Sequence, residues 1–267
     1  MNHQRISLAT EGAFLDTYFL NCSDEILHSD RHPAVVICPG GAYLFLSERE
    51  TEPIALALAA RGFSTAVLRY PCAPARFPAQ LCAAAEAVAW VRSHAAESHI
   101  DPDRISIAGF SAGGHLAASL GVFWNRPFLA ESTGLQPQQM RPDRLLLRYP
   151  VITGGEFLSE QTFRCLLGDD FADPEKRAFV SLETQVTSQT PPTFLWHTVT
   201  DAVVPVENSM LFAMSLRKAG VPFEAHLFSV GPHGLALAND LTESPEHLGV
   251  EPACTGWLDL AVNWLRR

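Results

Sequence analysis

Residues 105–122 read ISIAGFSAGGHLAASLGV and carry the most informative pattern in the chain. The apolar run Ile105–Ala108 predicts a buried β-strand, and Ala112–Val122 predicts a helix. Gly109–Gly113 between them has the G-x-S-x-G spacing, in which a serine stands clear of a sheet on a very tight strand-to-helix turn. Side chains two residues before and after that serine would collide, so glycine is expected at both places. The context on both sides therefore predicts that Ser111 is a nucleophile.

Outward from this stretch, short apolar runs alternate with helical patterns along most of the chain. Further strands are predicted at Ile6–Thr10, Phe14–Leu20, Ala34–Cys38, Ser64–Tyr70, Leu145–Tyr149, Thr193–His197 and Phe223–Phe228. Further helices are predicted at Thr51–Ala60, Ala79–Ala96, Val206–Ala219 and Gly256–Arg267. The first two strands are joined by a turn at Glu11-Gly12, which favours an antiparallel hairpin. The later alternation predicts an α/β fold, a three-layer sandwich whose mostly parallel sheet carries helices on both faces.

Two segments fit this alternation poorly, namely Asn125–Pro142 and Thr153–Thr190. Both are expected to rise above the carboxyl edge of the sheet, where folds of this class bind their ligands. No stretch has the composition of a linker, so residues 1–267 are expected to form a single domain.

Composition limits the kinds of partner. Hydrophobic residues make up 47% of the chain and charged residues 18%, which allows a sizeable core. The 19 basic and 29 acidic residues give a formal net charge of −10 without a block of like charge, and this argues against nucleic acid or an anionic membrane as the main partner. No apolar run approaches the ~20 residues that a membrane helix requires.

Cysteine spacing and the first residues of the chain bear on metals and on location. The six cysteines show no CxxC pair and no metal-ligand spacing, so free thiols are favoured and no metal site is predicted. Residues 1–10 lack a basic patch followed by an apolar core, so no secretory signal is expected. A reducing cytoplasm is therefore the expected location.

The base that activates Ser111 must be chosen among ten histidines. On this fold the order along the chain is serine, then Asp or Glu, then histidine. Those late enough in the chain are His197, His226, His233 and His247. The first two lie within strand patterns and the last follows an acidic stretch without a strand, whereas His233 lies in the turn GPHG directly after the strand Phe223–Phe228. A loop at the carboxyl end of a strand can reach Ser111, so His233 is the predicted base.

The carboxylate that orients His233 should follow the preceding strand. Asp201 comes four residues after the strand Thr193–His197, and it would stabilise the charged form of the base. Its rivals Asp169, Asp170 and Asp173 look like solvated turn residues, and Glu207 looks like a first-turn acid of a helix. His115, one helical turn beyond the serine, is interpreted as a structural residue beneath the turn.

Donors for a developing oxyanion are expected from two backbone segments. The sequence PGGAY at residues 39–43 follows the first buried parallel strand, and its small residues let amides approach a substrate oxygen closely. Gly41 and Ala42 are the predicted donors there, and they would act with the amide of Ala112 at the start of the helix.

These motifs together resemble those of bacterial acetyl-esterase or acetylxylan-esterase-like α/β hydrolases. They are PGGAY, SERETEP at residues 47–53, HIDPDRISIAGFSAGGHLAASL at 99–120, TDAVVPVENS at 200–209 and GPHGLALA at 231–238. The match runs from about residue 33 to the C-terminus. The resemblance implies an α/β-hydrolase fold and hydrolysis of short acyl esters, often acetyl groups on xylose-based sugars, without a cofactor. It also implies a triad of Ser111, Asp201 and His233.

One departure concerns the related lipase-like esterases, which carry His-Gly-Gly-Gly before the oxyanion hole. Here Pro39 stands in place of the histidine and Ala42 in place of the third glycine. This moves the chain toward the sugar-esterase branch and leaves the donor pair open.

The sequence thus predicts acyl transfer to water from a small-molecule ester through an acyl-enzyme on Ser111. Two alternatives stay open at this point. One is an arylformamidase or small peptidase with the same chemistry, and the other is a catalytically silent hydrolase scaffold used for binding. The sequence leaves acyl length, leaving group and homo-oligomerisation open.

Overall fold

A computed structural model describes all residues, 1–267, and its centre is one eight-stranded sheet. The strands are β1 Asn2–Ser7, β2 Phe14–Phe19, β3 His32–Cys38, β4 Ser64–Arg69, β5 Ile100–Phe110, β6 Arg144–Arg148, β7 Thr193–Thr198 and β8 Phe223–Phe228. They lie in the order β1-β2-β4-β3-β5-β6-β7-β8. The first two strands form an antiparallel hairpin, β2 pairs antiparallel with β4, and every later pair is parallel.

Helices cover both faces of this sheet. They are α1 Glu52–Ala59, α2 Ala79–Ser93, α3 Ala112–Phe123, α4 Pro127–Thr133, α5 Pro137–Met140, α6 Glu160–Leu167, α7 Pro174–Phe179, α8 Glu207–Ala219 and α9 Trp257–Arg266. One core lies between the sheet and α2, α3 and α8, and a second lies between the sheet and α1 and α9. The predicted three-layer α/β architecture is therefore confirmed. All six cysteines are free thiols, and no helix has both the length and the apolar character needed to cross a membrane.

The first strand begins and ends earlier than predicted, at Asn2–Ser7 instead of Ile6–Thr10. It pairs with β2 from Asn2 opposite Phe19 to Ser7 opposite Phe14, so Thr10 lies in the connecting turn. The backbone amide and the hydroxyl of Thr10 donate to the carboxylate of Glu86 at 2.8 and 2.9 Å. A side chain on α2 thus takes the hydrogen bonds that a strand neighbour would otherwise supply.

The two irregular segments behave differently from each other. Residues 153–190 do reach the site described below, through the start of α6. The expectation for Asn125–Pro142 is wrong, because this segment forms α4 and α5, which pack against α2. The guanidinium of Arg92 holds it there by donating to the carbonyl of Gln139 at 2.8 Å and to the carboxylate of Asp143 at 3.0 Å. None of its residues lines the cleft beside Ser111.

Candidate active site

Ser111 lies at the turn between β5 and α3 with φ 53° and ψ −119°. A non-glycine residue at positive φ is strained, and such strain persists where the surroundings impose it. A Cβ atom on Gly109 would lie 2.0 Å from the carbonyl oxygen of Gly113, and one on Gly113 would lie 2.1 Å from the carbonyl oxygen of Cys38. Both glycines are therefore required, but the reason differs from the predicted one. Each position is blocked by backbone rather than by the opposite side chain.

The structure brings Ser111, His233 and Asp201 together at the carboxyl edge of the sheet. Nε2 of His233 lies 2.8 Å from Oγ of Ser111, and Nδ1 of His233 lies 2.6 Å from Oδ2 of Asp201. Because an ionised carboxylate can only accept, it fixes the proton of His233 on Nδ1 and leaves Nε2 free to accept the serine proton. This arrangement can remove a proton from the hydroxyl as that oxygen attacks a carbonyl carbon.

Asp201 is held by backbone as well as by histidine. Its Oδ1 accepts from the amides of Val203 and Val204, each at 2.9 Å. Burial alone would raise the pKa of Asp201, but hydrogen bonds from His197, His233 and the Val204 amide outweigh it and the pKa is lowered. The carboxylate therefore stays ionised at any pH at which the protein would work.

A second histidine, His197, contacts the same carboxylate. Its side chain is fully buried in β7, in agreement with its interpretation as a packed residue, but its contact with the acid was not foreseen. Nδ1 accepts from the hydroxyl of Ser209 at 2.8 Å, while Nε2 donates to the carbonyl of Val204 at 3.0 Å and lies 3.3 Å from Oδ2 of Asp201. The sequence signal that could have revealed it is the spacing of four residues between a strand histidine and the acid.

The loop that carries His233 is tied to the loop that carries Asp201. Gly231, at φ 143°, accepts at its carbonyl from the hydroxyls of Thr198 at 2.8 Å and Thr200 at 3.1 Å. Its amide donates back to Oγ1 of Thr200 at 2.9 Å. The ring of Tyr149 lies with its centroid 5.0 Å from that of His233 at an interplanar angle of 69°. These contacts restrict the imidazole to one orientation.

The predicted oxyanion loop lies beside the serine. Gly41 and Ala42 line the same cleft as Ser111 and adopt φ values of 125° and 55°. A Cβ atom on Gly41 would lie 2.0 Å from the carbonyl oxygen of Phe45, so glycine is required there. The amide of Gly40, one residue earlier, already donates to the carboxylate of Glu50 at 2.7 Å. That leaves the amides of Gly41, Ala42 and Ala112 as the predicted donors.

Apart from His197 and His115, the rejected candidates lie away from this set of hydrogen bonds. Asp170 pairs with Lys176, Asp173 caps α7, His226 contacts Glu224, His247 contacts Glu243, and Glu207 opens α8. Asp169 lies in the short 3-10 helix between α6 and α7. None of these residues forms a hydrogen bond with Ser111 or His233, whereas Asp201 does contact His233.

His115 is a neutral structural residue on α3. It accepts at Nδ1 from the hydroxyl of Tyr43 at 2.9 Å and donates from Nε2 to the carbonyl of Val180 at 2.9 Å. Burial lowers the pKa of His115 to about 4. The side chain therefore links the loop after β3 to the segment after α7 and takes no part in proton transfer.

This lowered pKa predicts a loss of stability in mild acid. The unfolded chain protonates His115 near pH 6.5, whereas the folded chain resists protonation until about pH 4. The contribution of neutral His115 to the free energy of unfolding is therefore fully present above pH 6.5. It is lost as the pH falls from 6.5 to about 4, by an amount on the order of 3 kcal/mol. Urea unfolding at pH 7.5 and pH 4.5 measures it. His115→Gln should show a smaller difference between the two pH values, and an equal difference would contradict the assignment.

The cleft itself is open and has a volume of about 230 Å³, and among its lining residues Glu50 is the only Asp, Glu, Lys or Arg. The lining residues are Gly41, Ala42, Phe45, Ser47, Glu50, Ser111, Ser159, Gln161, Thr162, Val203, Val204, His233 and Gly234. Hydroxyl and amide groups at the start of α6 face apolar groups on the loops that carry Phe45 and Val203. No group of three or more His, Cys, Asp or Glu side chains is arranged to hold a metal ion.

A serine on a strand-to-helix elbow, with a histidine and a carboxylate on later loops of the same mostly parallel sheet, defines an α/β hydrolase. The BD-FAE family matches this chain over residues 25–216. The chain therefore belongs to the BD-FAE family of α/β hydrolases.

Relatives of known name are carbohydrate-active and ester-cleaving proteins. The chain is 38% identical over 225 residues to endo-1,4-beta-xylanase B of Butyrivibrio fibrisolvens. This match covers 80% of this chain and 34% of that protein. It is 28% identical over 210 residues to an acetylxylan esterase of Xylanibacter ruminicola, which covers 76% of this chain and 41% of that protein. The chain thus spans between a third and a half of the length of these two relatives.

Solved structures match over nearly the whole chain. An acetyl ester-xyloside bifunctional hydrolase from Caldicellulosiruptor lactoaceticus superposes with a TM-score of 0.81 at 39% identity, over 95% of this chain and 87% of that one. The carboxylesterase Cest-2923 from Lactobacillus plantarum superposes with a TM-score of 0.86 at 29% identity, over 99% and 96% of the two chains. These neighbours confirm the α/β-hydrolase fold and the resemblance to ester hydrolases.

Proposed function

We propose that this protein is a serine carboxylesterase that removes short acyl groups, chiefly acetyl, from xylo-oligosaccharides or similar sugars. The observation that carries the proposal is the continuous set of hydrogen bonds from Asp201 through His233 to Ser111, with contacts of 2.6 and 2.8 Å. The BD-FAE family and the names of the relatives support ester hydrolysis, and two of those names refer to acetyl esters or acetylxylan.

The first half of the reaction forms an acyl-enzyme. Oγ of Ser111 attacks the ester carbonyl carbon while Nε2 of His233 takes the hydroxyl proton. The carbonyl oxygen becomes an oxyanion, which the amides of Gly41, Ala42 and Ala112 stabilise; each such donor is worth about 3–4 kcal/mol in the transition state. The intermediate then collapses, the bond between the carbonyl carbon and the alkoxy oxygen breaks, and His233 returns its proton to the leaving alcohol.

The second half releases the acid. Water attacks the carbonyl carbon of the acyl-Ser111 ester while His233 takes one water proton. The second tetrahedral intermediate expels Oγ of Ser111, which recovers the proton from His233, and a carboxylic acid leaves. Asp201 remains ionised throughout and stabilises the imidazolium of His233 in both halves.

The dimensions and polarity of the cleft favour a small acyl group on a polar alcohol. Its volume of about 230 Å³ accommodates an acetyl group together with part of a leaving group. Ser159, Gln161 and Thr162 supply hydroxyl and amide groups to the lining, and these can donate to and accept from sugar hydroxyls.

Hydrolysis rates on esters of graded length test this substrate class. We expect kcat/KM for p-nitrophenyl acetate to exceed that for the octanoate by about tenfold or more, because hydroxyl, amide and backbone groups make up much of the lining and offer little apolar contact to extra methylenes. Butyrate should fall between them, and an acetylated xylo-oligosaccharide should be deacetylated. A preference for octanoate would contradict the acetyl-sugar substrate while leaving the acyl-transfer mechanism intact.

A further inference from the structure

Glu50 is a buried carboxylate at the edge of the site with no role in the mechanism above. It lies in the SERETEP segment, directly before α1, and is 3% exposed. Its Oε2 accepts from the amide of Gly40 at 2.7 Å, and its Oε1 accepts from the hydroxyl of Tyr149 at 2.7 Å. Burial raises the pKa of Glu50, while both hydrogen bonds lower it. Burying a carboxylate costs free energy, so the groups that hydrogen-bond to Glu50 indicate which parts of the site it stabilises.

One partner connects Glu50 to the histidine loop. The hydroxyl of Tyr149 accepts from the amide of Ala236 at 2.9 Å, three residues beyond His233, while it donates to Glu50. The ring of the same tyrosine packs against the imidazole of His233. Loss of the carboxylate would therefore let the side chain of Tyr149 move. The imidazole of His233, which packs against it, would then be held less firmly in its orientation.

The other partner connects Glu50 to the oxyanion loop. Gly40 is held on both sides, since its amide donates to Glu50 and its carbonyl accepts from the amide of Ser47 at 3.0 Å. A Cβ atom on Gly40 would lie 2.8 Å from Oε2 of Glu50 and 2.9 Å from Cβ of Ser111. The side chains of Glu50 and Ser111 thus both lie close to the Cα of Gly40, immediately before the predicted donors Gly41 and Ala42.

Two arginine side chains interact electrostatically with this carboxylate. The guanidinium of Arg148 on β6 is buried between the rings of Phe110 and Trp257, with its central carbon 4.3 and 4.1 Å from their centroids. The charge of Arg49 lowers the pKa of Glu50, and the charge of Glu50 raises the pKa of Arg148. Both carboxylate oxygens accept hydrogen bonds in this setting, as expected of the ionised form.

We propose that Glu50 is a positioning residue that holds the oxyanion loop and the histidine loop in one productive arrangement, through Gly40 and Tyr149. This inference rests on the proposed function, because it assigns Glu50 a part in the same acyl transfer. Glu50 forms its hydrogen bonds with Gly40 and Tyr149 and none with Ser111, His233 or Asp201, so its effect passes through the two loops.

Glu50→Gln tests the inference with the least change in shape. Glutamine has one accepting oxygen, so it can satisfy Gly40 or Tyr149 but not both. We expect kcat for p-nitrophenyl acetate to fall about 10- to 100-fold while KM changes less than about threefold. The rate of fluorophosphonate labelling should fall by a similar factor, because the same oxyanion and base assist it. Glu52→Gln, an exposed change two residues away, is the matched control and should keep wild-type kinetics.

Tyr149→Phe breaks the same network from its other side and should also lower kcat about tenfold. If one network carries both effects, kcat of the double variant should lie within about twofold of kcat of the slower single variant. Multiplicative losses, or wild-type kcat in folded Glu50→Gln, would overturn the inference. If Glu50→Gln does not fold, a wild-type kcat in Tyr149→Phe would by itself overturn the inference. Equal ester hydrolysis by the wild type and Ser111→Ala would instead overturn the proposed function.

Discussion

Ser111→Ala is expected to lower kcat for p-nitrophenyl acetate about a millionfold, to the rate that binding and the oxyanion donors alone provide. The substitution removes the single atom that forms the acyl-enzyme. His233 would keep its hydrogen bond to Asp201 at 2.6 Å, but its Nε2 would face a methyl group in place of the hydroxyl 2.8 Å away. Without an attacking oxygen on the enzyme, only direct attack by water remains, aided by substrate binding and the oxyanion donors.

The measurement is steady-state hydrolysis on purified wild type and variant at matched circular dichroism. Ser132→Ala, which alters an exposed serine on α4, is the control and should hydrolyse at the wild-type rate. A loss of less than about a hundredfold in Ser111→Ala would mean that another group is the nucleophile.

Asp201→Asn is expected to lower kcat about 10,000-fold. The amides of Val203 and Val204 point at Oδ1 of Asp201, so the carbonyl oxygen of an asparagine would face them and its NH₂ group would face His233. That NH₂ donates, which forces Nδ1 of His233 to accept and moves the imidazole proton to Nε2. A protonated Nε2 cannot take the proton of Ser111. The NH₂ group would also meet the donating Nε2 of His197, now 3.3 Å from Oδ2.

Steady-state kinetics of Asp201→Asn beside Asp170→Asn separate this effect from a general loss of acidic charge. Asp170 forms an ion pair with Lys176 outside the cleft, so its substitution should leave kcat unchanged. A loss of less than about tenfold for Asp201→Asn would show that the tautomer of His233 does not depend on this carboxylate.

The sequence was sufficient where chemistry demands a local pattern. The elbow at Ser111 needs glycine two residues away on each side, a strand before it and a helix after it, and all of these lie within residues 105–122. His233 and Asp201 could be predicted because parallel strands end at one edge of a sheet, so the loops after β7 and β8 reach the loop after β5. The predicted bounds of β8, Phe223–Phe228, also agree with the structure, because turn residues precede and follow this strand in the sequence.

The sequence was insufficient where partners are distant along the chain. Glu50 lies in a charged segment that looks solvated, yet its partner Tyr149 lies 99 residues away and the next donor, Ala236, lies 87 residues beyond that. His197 fits a buried strand residue equally well with or without a contact to Asp201. Asn125–Pro142 lacks strong periodicity, so nothing in it distinguishes packing on α2 from a position above the sheet edge. Each of these features depends on tertiary contacts that local patterns do not contain.

Covalent labelling with a fluorophosphonate, followed by intact-protein mass spectrometry and peptide mapping, is the most direct test of Ser111 as the nucleophile. We expect one adduct per wild-type chain, located on Ser111, and no adduct on Ser111→Ala under the same conditions. An adduct on any other residue, or a wild-type protein that hydrolyses p-nitrophenyl acetate without becoming labelled, would contradict the assignment of Ser111 as the nucleophile.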